Sequence, residues 1–359
     1  MEFIDPFPLL RLPMDSRMNV LRNMEILRFK LAFPPSFMSY IFRMGFSLLS
    51  KSAKHLIKSL NLKADEVVVQ AHELCVLSVK FKGQFIQFGF ASKRDLRRGR
   101  IRPRFDQVIP TAKILVFYNT VKDDHHWNQP EFTARDWFEH FCSVFHRSKI
   151  DYISVNRPTI NINSMKEAVK GLEVLKILFR PDSTNQYTQE VLQTFPKVTS
   201  LHFHRNFFGT VTKTHQCFIQ NLYQLVFVDG IPITLNDLLV INSTHIFVKG
   251  TNWTEQTLNQ FLKLWRLGSC PYLEHFSITL VNNQEGLNKE VVLKGLKSME
   301  MGETVRFFDR WDMEDERGRR PRKQKVEKGI DIWRHNGTCA TIVLEKWSHH
   351  SSFKFFVWS

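Results

Sequence analysis

The chain has 359 residues, of which 43% are hydrophobic, and it contains 32 Phe and 8 Trp. This composition can supply a large apolar core, which excludes a chain that is disordered throughout, and the length is typical of about two domains. The net charge is +15, and the five cysteines lie far apart without a CxxC pair, which predicts reduced thiols in a cytoplasmic or nuclear protein. The longest uncharged apolar stretch, 31–42, contains two prolines and is too short for a membrane helix, so we expect no membrane association.

The first 60 residues alternate apolar stretches with prolines and basic residues. The segment FPLLRLP at 7–13 holds apolar side chains between two prolines, and no basic segment precedes it, so it does not match a signal peptide. Apolar residues at near-helical spacing predict one helix after Pro13 and another over 47–60. These short helices carry more apolar surface than they can bury against each other, which is typical of a module completed by a partner.

Residues 66–118 and 132–146 predict two different kinds of structure. Stretches of β-branched and aromatic residues within 66–118 predict antiparallel strands, with a turn at 82–83. The segment 132–146 predicts a helix, whose start resembles a capping box at Thr133 and Asp136. The expected buried face of this helix consists of Trp137, Phe141, Val144 and Phe145.

Between about residues 148 and 281, the pattern apolar-x-x-apolar-x-apolar occurs six times, as in the strand portion of a leucine-rich repeat. The middle positions are Ile153, Leu175, Leu201, Leu225, Ile246 and Phe276. They are separated by 22, 26, 24, 21 and 30 residues, close to the roughly 20–29 residues of that repeat class. Helical connectors, the clearest at 254–268, alternate with these strands, which predicts a parallel sheet with helices on one side.

The C-terminal region returns to an antiparallel pattern. Residues 329–345 alternate on both sides of Asn336–Gly337, a dipeptide favoured in type I′ hairpins, and a last strand follows. Two basic runs, 93–104 and 316–325, contain Gly, Pro and many Arg but no aromatic residue for base stacking. We interpret both runs as exposed loops, whose attraction to nucleic acid would be unspecific.

The sequence contains no catalytic motif that we recognise. Gly-rich phosphate loops and the GxSxG elbow are absent. The segment DDHHW at 123–127 collects two acids and two histidines, but consecutive polar residues of a loop point in different directions, so we predict a surface loop rather than a metal site. Cys142 lies among phenylalanines and is expected to be a core residue. We therefore predict that the protein is not an enzyme and holds no metal or cofactor.

The segment FPLLRLP, followed by NVLRNM and LLSKSAKHLIKSL, resembles an F-box, a motif whose helices dock onto the Skp adaptor of a cullin ubiquitin ligase. Segments at 133–146, 235–278 and 328–342 are similar, in the same order, to nematode F-box proteins with the type-two F-box-associated domain. The resemblance covers nearly the whole chain, and 235–278 is its most specific part.

The resemblance implies an F-box at 5–61 and an F-box-associated domain at 62–359. The expected fold combines α+β and α/β features: a helical F-box, then a leucine-rich-repeat-like α/β domain flanked by antiparallel strands. One segment departs from the family pattern, an insert at about 31–46 that places Pro34–Pro35 where a helix is expected. This insert is either a genuine loop or an error in the gene model, and its compatibility with Skp binding stays open.

The implied function is that of a monomeric substrate-recognition adaptor of an SCF-type cullin ubiquitin ligase. It would bind Skp through the F-box and an unidentified protein substrate through the C-terminal domain. The residues implied for Skp binding are Phe7, Pro8, Leu9, Leu12, Pro13, Val20, Leu21 and Met24. Two alternatives are a basic interaction protein that binds nucleic acid without a ubiquitin function, and a decayed adaptor whose insert has abolished docking.

A candidate substrate-binding face follows from the repeat pattern. The apolar positions of a strand point to the core, and their alternate neighbours point to the open face, which solenoid proteins commonly use for partners. The predicted face contains Lys176, His202, His204, Val226, Phe247 and His275. This mixture suits a peptide or protein surface better than a phosphate backbone. The alternative is that flanking strands or the 316–325 loop cover the face.

Overall fold

The computed structural model describes residues 13, 15–17, 43–71, 75–81, 84–90, 111–118, 121–129, 131–156, 161–204, 218–228, 231–281, 285–308, 323–347 and 350–358. The chain forms two compact units, the first made of Met1–Leu175 with Glu190–Pro196 and the second of Lys176–Gln189 with Lys197–Ser359. Helices and mixed sheets occur in both units, so the predicted mixed α/β class is confirmed. Within these described ranges, no helix is long and apolar enough to cross a membrane.

The first unit contains a mixed sheet with the strand order β6-β1-β2-β3-β4-β5. Its strands are β1 (Glu66–Ala71), β2 (Cys75–Phe81), β3 (Gln84–Phe90), β4 (Thr111–Tyr118), β5 (Val121–Asn128) and β6 (Lys149–Val155). Strands β1 to β4 pair antiparallel, as predicted, β5 continues this antiparallel pairing, and β6 pairs parallel with β1. The DDHHW segment lies in β5, so the prediction of a loop there is wrong. Pairing along the whole length of β4 holds these polar residues in an extended conformation.

The described part of the first unit includes the helices α1 (Lys51–Ser59), α2 (Ala134–Val144) and α3 (Ile162–Ala168). The capping box of α2 is present, with Asp136 N–H donating to Thr133 Oγ1 and Thr133 N–H donating to Asp136 Oδ2. The four apolar residues predicted for its inner face are all fully buried. These two sequence predictions are confirmed, because a helix cap and a 3.6-residue apolar period are local signals.

Helix α1 packs against α2. The helix lies within the predicted segment 47–60 but begins only at Lys51, after the N-cap Ser50, and its Leu56 and Ile57 are buried within this unit. Gln129 Nε2 donates to the carbonyl oxygen of Leu48 at 2.9 Å. Residues 43–47, just before α1, are helical, and Met44 there is fully buried. The last residues of the predicted insert are therefore part of the core of the first unit.

The second unit contains a sheet with the order β12-β15-β16-β17-β11-β10-β9-β8-β7. The strands β7 (Glu173–Phe179), β8 (Ser200–Phe203), β9 (Gln224–Phe227), β10 (His245–Thr251) and β11 (His275–Val281) are parallel neighbours in chain order, as predicted. β7 enters this unit at Lys176. The antiparallel strands are β12 (Ser298–Glu300), β15 (Ile330–Trp333), β16 (Cys339–Lys346) and β17 (His350–Trp358).

The described residues of the second unit also form four helices and a separate hairpin. The helices are α4 (Asn185–Thr194), which passes into the first unit at Glu190, α5 (Leu235–Val240), α6 (Glu255–Arg266) and α7 (Lys289–Val292). The hairpin consists of β13 (Arg306–Phe308) and β14 (Gln324–Val326), which pair antiparallel with each other. Helix α6 ends at Arg266, and Gly268 follows with φ 108°, a left-handed conformation that favours glycine.

The strand register aligns four of the six predicted triplets with one another. Leu201, Leu225 and Ile246 are aligned across neighbouring strands, and Ile246 is aligned with Phe276. In β7, however, Ile177 rather than Leu175 aligns with Leu201. The buried triplet there is Val174, Ile177 and Phe179. The prediction shifted the register by two residues because this segment is apolar at nearly every position, so two triplets fit the same pattern.

The core of the second unit lies between α6 and one side of the sheet. Phe261 and Trp265 of α6 are fully buried and pack edge-on against Phe355 of β17, and Phe261 also contacts Phe276 of β11. The neighbouring residues His275 and Phe356, which are paired across β11 and β17, lie on the opposite side. That opposite side is the candidate face.

The β15–β16 hairpin is confirmed, but its turn differs from the predicted type I′. Gly337 N–H donates to the carbonyl oxygen of Arg334, and Arg334 N–H donates to the carbonyl oxygen of Thr338. Of the loop residues, Gly337 has a positive φ of 87° and Asn336 does not. This is a three-residue loop, a type I turn followed by a left-handed glycine, which is the next most common hairpin connection.

Candidate recognition surface

The candidate face is the side of the second unit's sheet that lies opposite α6. Strand register places its side chains in two rows that run across the parallel strands. One row contains Lys176, Ser200, Gln224, His245 and His275, and the next contains Leu178, His202, Val226, Phe247 and Ser277. The sequence pattern had placed Lys176 in the row of His202, and the register shift in β7 moves it to the adjacent row.

The β13–β14 hairpin covers one end of this face. The ring of Phe308 lies 5.8 Å from that of His245, 5.5 Å from that of His275 and 5.3 Å from that of Phe356. Met301 and Val326 complete this apolar cluster. His245 and His275 are each only 3% exposed. The alternative that a flanking element covers the face therefore applies at the β10–β11 end.

An ion pair anchors the hairpin to the sheet. The Arg306 guanidinium donates from Nη1 and Nη2 to the two carboxylate oxygens of Asp331 at 3.0 and 2.7 Å, and Asp331 is buried. Arg306 Nη1 also donates to Thr341 Oγ1 at 2.8 Å, and the guanidinium lies 5.4 Å from the ring centroid of Trp358. A bidentate pair with a buried carboxylate fixes both distance and orientation, so β13 is held in one place on the face.

The other end of the face is more open. Lys176, His202 and His204 are half-buried, and Lys249 is exposed. Val226 and Phe247 are only 5% exposed, so these two predicted contact residues lie within the surface rather than on it. The open part of the face is therefore polar and basic, whereas its predicted apolar and aromatic members are buried.

A hydrogen-bonded pair occupies the centre of the open part. His202 Nε2 lies 2.9 Å from Gln224 Oε1. Burial, and then the positive charge of Lys176, lowers the pKa of His202 to about 3, so this imidazole is neutral at pH 7. A neutral imidazole can donate from Nε2 to the amide oxygen. Gln224 is fully buried, and its Nε2 has no hydrogen-bond partner among the described residues.

The neighbouring covered part contains another neutral imidazole. Burial lowers the pKa of His245 to about 4, against a hydrogen bond involving Tyr223 that raises it. The Tyr223 hydroxyl lies 3.5 Å from His245 Nε2. Despite these neighbouring histidines, the described residues contain no group of three or more His, Cys, Asp or Glu that could hold a metal ion.

The residues implied for Skp binding lie almost entirely outside the described part of the chain. This applies to Phe7, Pro8, Leu9, Leu12, Val20, Leu21 and Met24. Pro13 is described and exposed, and its carbonyl oxygen accepts from Arg17 N–H at 2.9 Å, a helical hydrogen bond at the predicted helix start. The Skp-binding set stays a prediction.

Cys142 lies where the sequence predicted. It is buried in α2, and burial raises the pKa of its thiol to about 12. A nucleophilic cysteine needs an accessible thiolate, which requires a lowered pKa. This cysteine is therefore a small core residue.

A comparison with known protein families identifies one segment of the second unit. Residues 213–278 match the family model FBA_2, F-box associated. This segment is therefore similar to an F-box-associated domain. Among the described residues, this match includes β9, α5, β10, α6 and the first four residues of β11, so the strands at the centre of the candidate face belong to it. The F-box-associated family is a non-catalytic one.

A curated relative supports the same assignment. The chain is 27% identical over 149 residues to the F-box associated domain-containing protein sdz-33 of Caenorhabditis elegans. The alignment covers 42% of this chain and 46% of that protein, so it spans less than half of the relative's length. No solved structure matches the chain significantly. The predicted resemblance to a nematode F-box-associated protein is thus confirmed.

Sequence reasoning missed several residues of the candidate face. Gln224 and Lys249 lie two positions before Val226 and two positions after Phe247, so the two-residue period of a strand would have found them. The β13–β14 hairpin had no such signal, because its strands have three residues each.

Proposed function

We propose that this protein is a substrate-recognition adaptor of an SCF-type cullin ubiquitin ligase. Its N-terminal F-box would bind the Skp adaptor, and its C-terminal F-box-associated domain would bind a protein substrate. The chain itself carries out no chemistry in this scheme. It raises the effective concentration of the substrate near a ligase that another subunit supplies.

The observation that carries the proposal is the F-box-associated match at 213–278. Domains of this family are named for their association with an F-box, and the N-terminal sequence resembles that motif. The consecutive parallel strands, with repeats of 21 to 30 residues, support interpreting the region as leucine-rich-repeat-like. Such a region presents a side-chain surface rather than a catalytic pocket.

Co-purification with a nematode Skp adaptor tests the proposal. Leu21→Asp in the full chain places a charge on the apolar face proposed to contact Skp. An unpaired charge in an interface costs about 3–5 kcal/mol, so we expect Skp association to weaken by at least a hundredfold. The measurement is the amount of Skp retained on the tagged protein.

The matched control is Leu267→Asp, the same substitution at a leucine that is 71% exposed in the second unit. This variant should retain Skp at the wild-type level. Thermal unfolding of both variants checks that they are folded. Equal Skp retention by folded Leu21→Asp and wild-type protein would contradict the assignment of an F-box.

A further inference from the structure

The outward side of α1 carries basic residues and no carboxylate. The helix contains no Asp or Glu, and its buried residues lie on the side that packs within the first unit. At 3.6 residues per turn, the four basic residues fall within an arc of about 100° that lies opposite this buried side. This basic stripe consists of Lys51, Lys54, His55 and Lys58.

The charges of the basic stripe oppose formation of the helix that carries them. Lys51 occupies the first turn, where the helix dipole disfavours a cation, and this turn contains no acidic residue. Lys54 and Lys58 are four residues apart, a spacing at which like charges repel each other. Residues that break such local rules are expected at functional sites, so the unfavourable charges indicate a role other than stability.

No carboxylate pairs with the lysines of the basic stripe among the residues that the structure describes. Burial lowers the pKa of Lys54, and Glu139 of α2 raises it, but these two side chains do not form an ion pair. Lys58 Nζ lies 3.5 Å from the neutral hydroxyl of Ser143. Lys51 and His55 are exposed. The positive charge of the stripe is therefore accessible to a partner.

The rest of α1 limits the chemistry of that partner. A helix that lies on a membrane inserts its apolar face, but Leu56 and Ile57 of α1 are already buried within the first unit. Surfaces that bind single-stranded nucleic acid combine basic groups with aromatic side chains or arginine for stacking, and α1 contains no Phe, Tyr, Trp or Arg. Lysines spaced three and four residues apart match carboxylates with the same spacing along one side of another helix.

We propose that the basic stripe of α1 binds an acidic helix of a partner protein, whose Asp or Glu residues recur every three or four positions. Charge complementarity selects this occupant, because the two rows of charge have the same spacing and opposite sign. The contact goes beyond the proposed function. It lies outside the residues implied for Skp binding and does not require a ubiquitin ligase.

Fluorescence anisotropy with synthetic helical peptides tests this proposal on the full chain. Three labelled Ala-rich peptides have the same length: one carries four Glu along one side, one carries Gln at the same positions, and one carries four Glu dispersed around the helix. Exposed ion pairs are individually weak, and several together correspond to about tenfold in affinity. At about 0.15 M salt, the one-sided Glu peptide should bind about tenfold more tightly than the Gln peptide, and more tightly than the dispersed one.

Lys51→Glu separates binding from the stability of the helix. It reverses one charge of the stripe and should weaken binding of the one-sided Glu peptide severalfold. Because the helix dipole favours a carboxylate in the first turn, the same substitution should leave the thermal midpoint unchanged or raise it. The matched control is Lys166→Glu, which reverses an exposed charge on α3 of the same unit and should bind the peptide like wild type.

Three results would overturn the proposal: equal binding of the one-sided Glu and Gln peptides, equal binding of the one-sided and dispersed Glu peptides, or equal losses in Lys51→Glu and Lys166→Glu. A labelled single-stranded RNA that binds through Lys51 when the Glu peptide does not would assign the stripe to nucleic acid instead. The proposed function is tested separately, because Leu21→Asp should lose Skp and still bind the one-sided Glu peptide.

Discussion

His140 shows how one buried polar residue links the helical residues 43–47 to α2. It lies on the inner side of α2, and its Nε2 is 2.7 Å from Ser47 Oγ, whose own hydroxyl donates to the carbonyl oxygen of Met44. The Ser47 proton is therefore engaged, and the imidazole donates from Nε2. Burial lowers the pKa of His140 to about 3, with a smaller contribution from Lys54. The neutral imidazole is thus the form that the folded protein holds.

This arrangement predicts that the first unit loses stability as pH falls. The unfolded histidine binds a proton below pH about 6.5, and the folded one resists it down to about pH 3, so the unfolded state gains protons in between. From pH 7.5 to pH 5.0, His140 should lower the free energy of unfolding by about 2 kcal/mol. The measurement is urea unfolding at both pH values.

His140→Gln is the comparison, since glutamine retains a donor for Ser47 but does not titrate. Between pH 7.5 and pH 5.0, this variant should lose about 2 kcal/mol less of its free energy of unfolding than the wild-type protein does. His202 and His245 titrate in both proteins and cancel in the difference. An unchanged pH dependence in His140→Gln would show that His140 is not neutral and buried in the folded state.

At the residue level, the sequence predicted the buried apolar residues far better than the buried polar residues. Trp137, Phe141 and Cys142 were placed correctly because apolar side chains at helical spacing have one energetically favourable location. Gln224 was missed because its burial depends on which strands lie beside β9. That information is not local to its own segment.

The β13–β14 hairpin is the element that most changes the candidate face. Alternation in β13 points Phe308 toward the sheet, where it is 8% exposed, and leaves Phe307 56% exposed. Three-residue strands carry too short a pattern to predict, and the pairing joins segments on either side of residues 309–322. Tertiary contacts such as the Arg306–Asp331 ion pair hold β13 and β14 on the candidate face.

Phe308→Ala should both destabilise the second unit and uncover the histidines beneath it. Loss of a buried phenylalanine typically costs about 3–5 kcal/mol, and the pKa of His245 should rise from about 4 toward its ordinary value, because burial is the largest cause of its depression. Chemical denaturation and a histidine NMR titration are the two measurements.

Phe307→Ala is the matched control, with the same change on the exposed side of the same strand. It should alter the free energy of unfolding by less than about 0.5 kcal/mol and leave the pKa of His245 unchanged. Equal effects of the two substitutions would mean that β13 does not cover the face as described.

At the scale of the whole molecule, the net charge of +15 is the property most open to misinterpretation. It attracts any polyanion, so weak binding of RNA would not by itself support the nucleic-acid alternative. The sequence predicted the mixed class, the consecutive parallel strands and both antiparallel flanks, because each follows from local periodicity. It did not predict the division between units, which depends on contacts between distant segments.

The salt dependence of binding by the full chain distinguishes the proposed adaptor function from the nucleic-acid alternative. Binding of a labelled single-stranded RNA should weaken at least tenfold between about 50 and 200 mM salt, because it depends on counterion release. Skp association, which depends on apolar contacts, should persist over this range. Anisotropy and co-purification at both salt concentrations provide the comparison. RNA binding that keeps its strength and a sequence preference at the higher concentration would favour the nucleic-acid alternative.

The path of the chain between the two units limits how the protein can be cut. The chain passes from one unit to the other after Leu175, after Gln189 and again after Pro196. A fragment that ends at residue 175 lacks the seven residues Glu190–Pro196 of the first unit, and a fragment that starts at residue 197 lacks Lys176 and the rest of β7 from the second. Fragments cut at a single position in the sequence will therefore expose apolar surface and aggregate. Screens for binding partners need the full-length protein, with point substitutions in place of truncations.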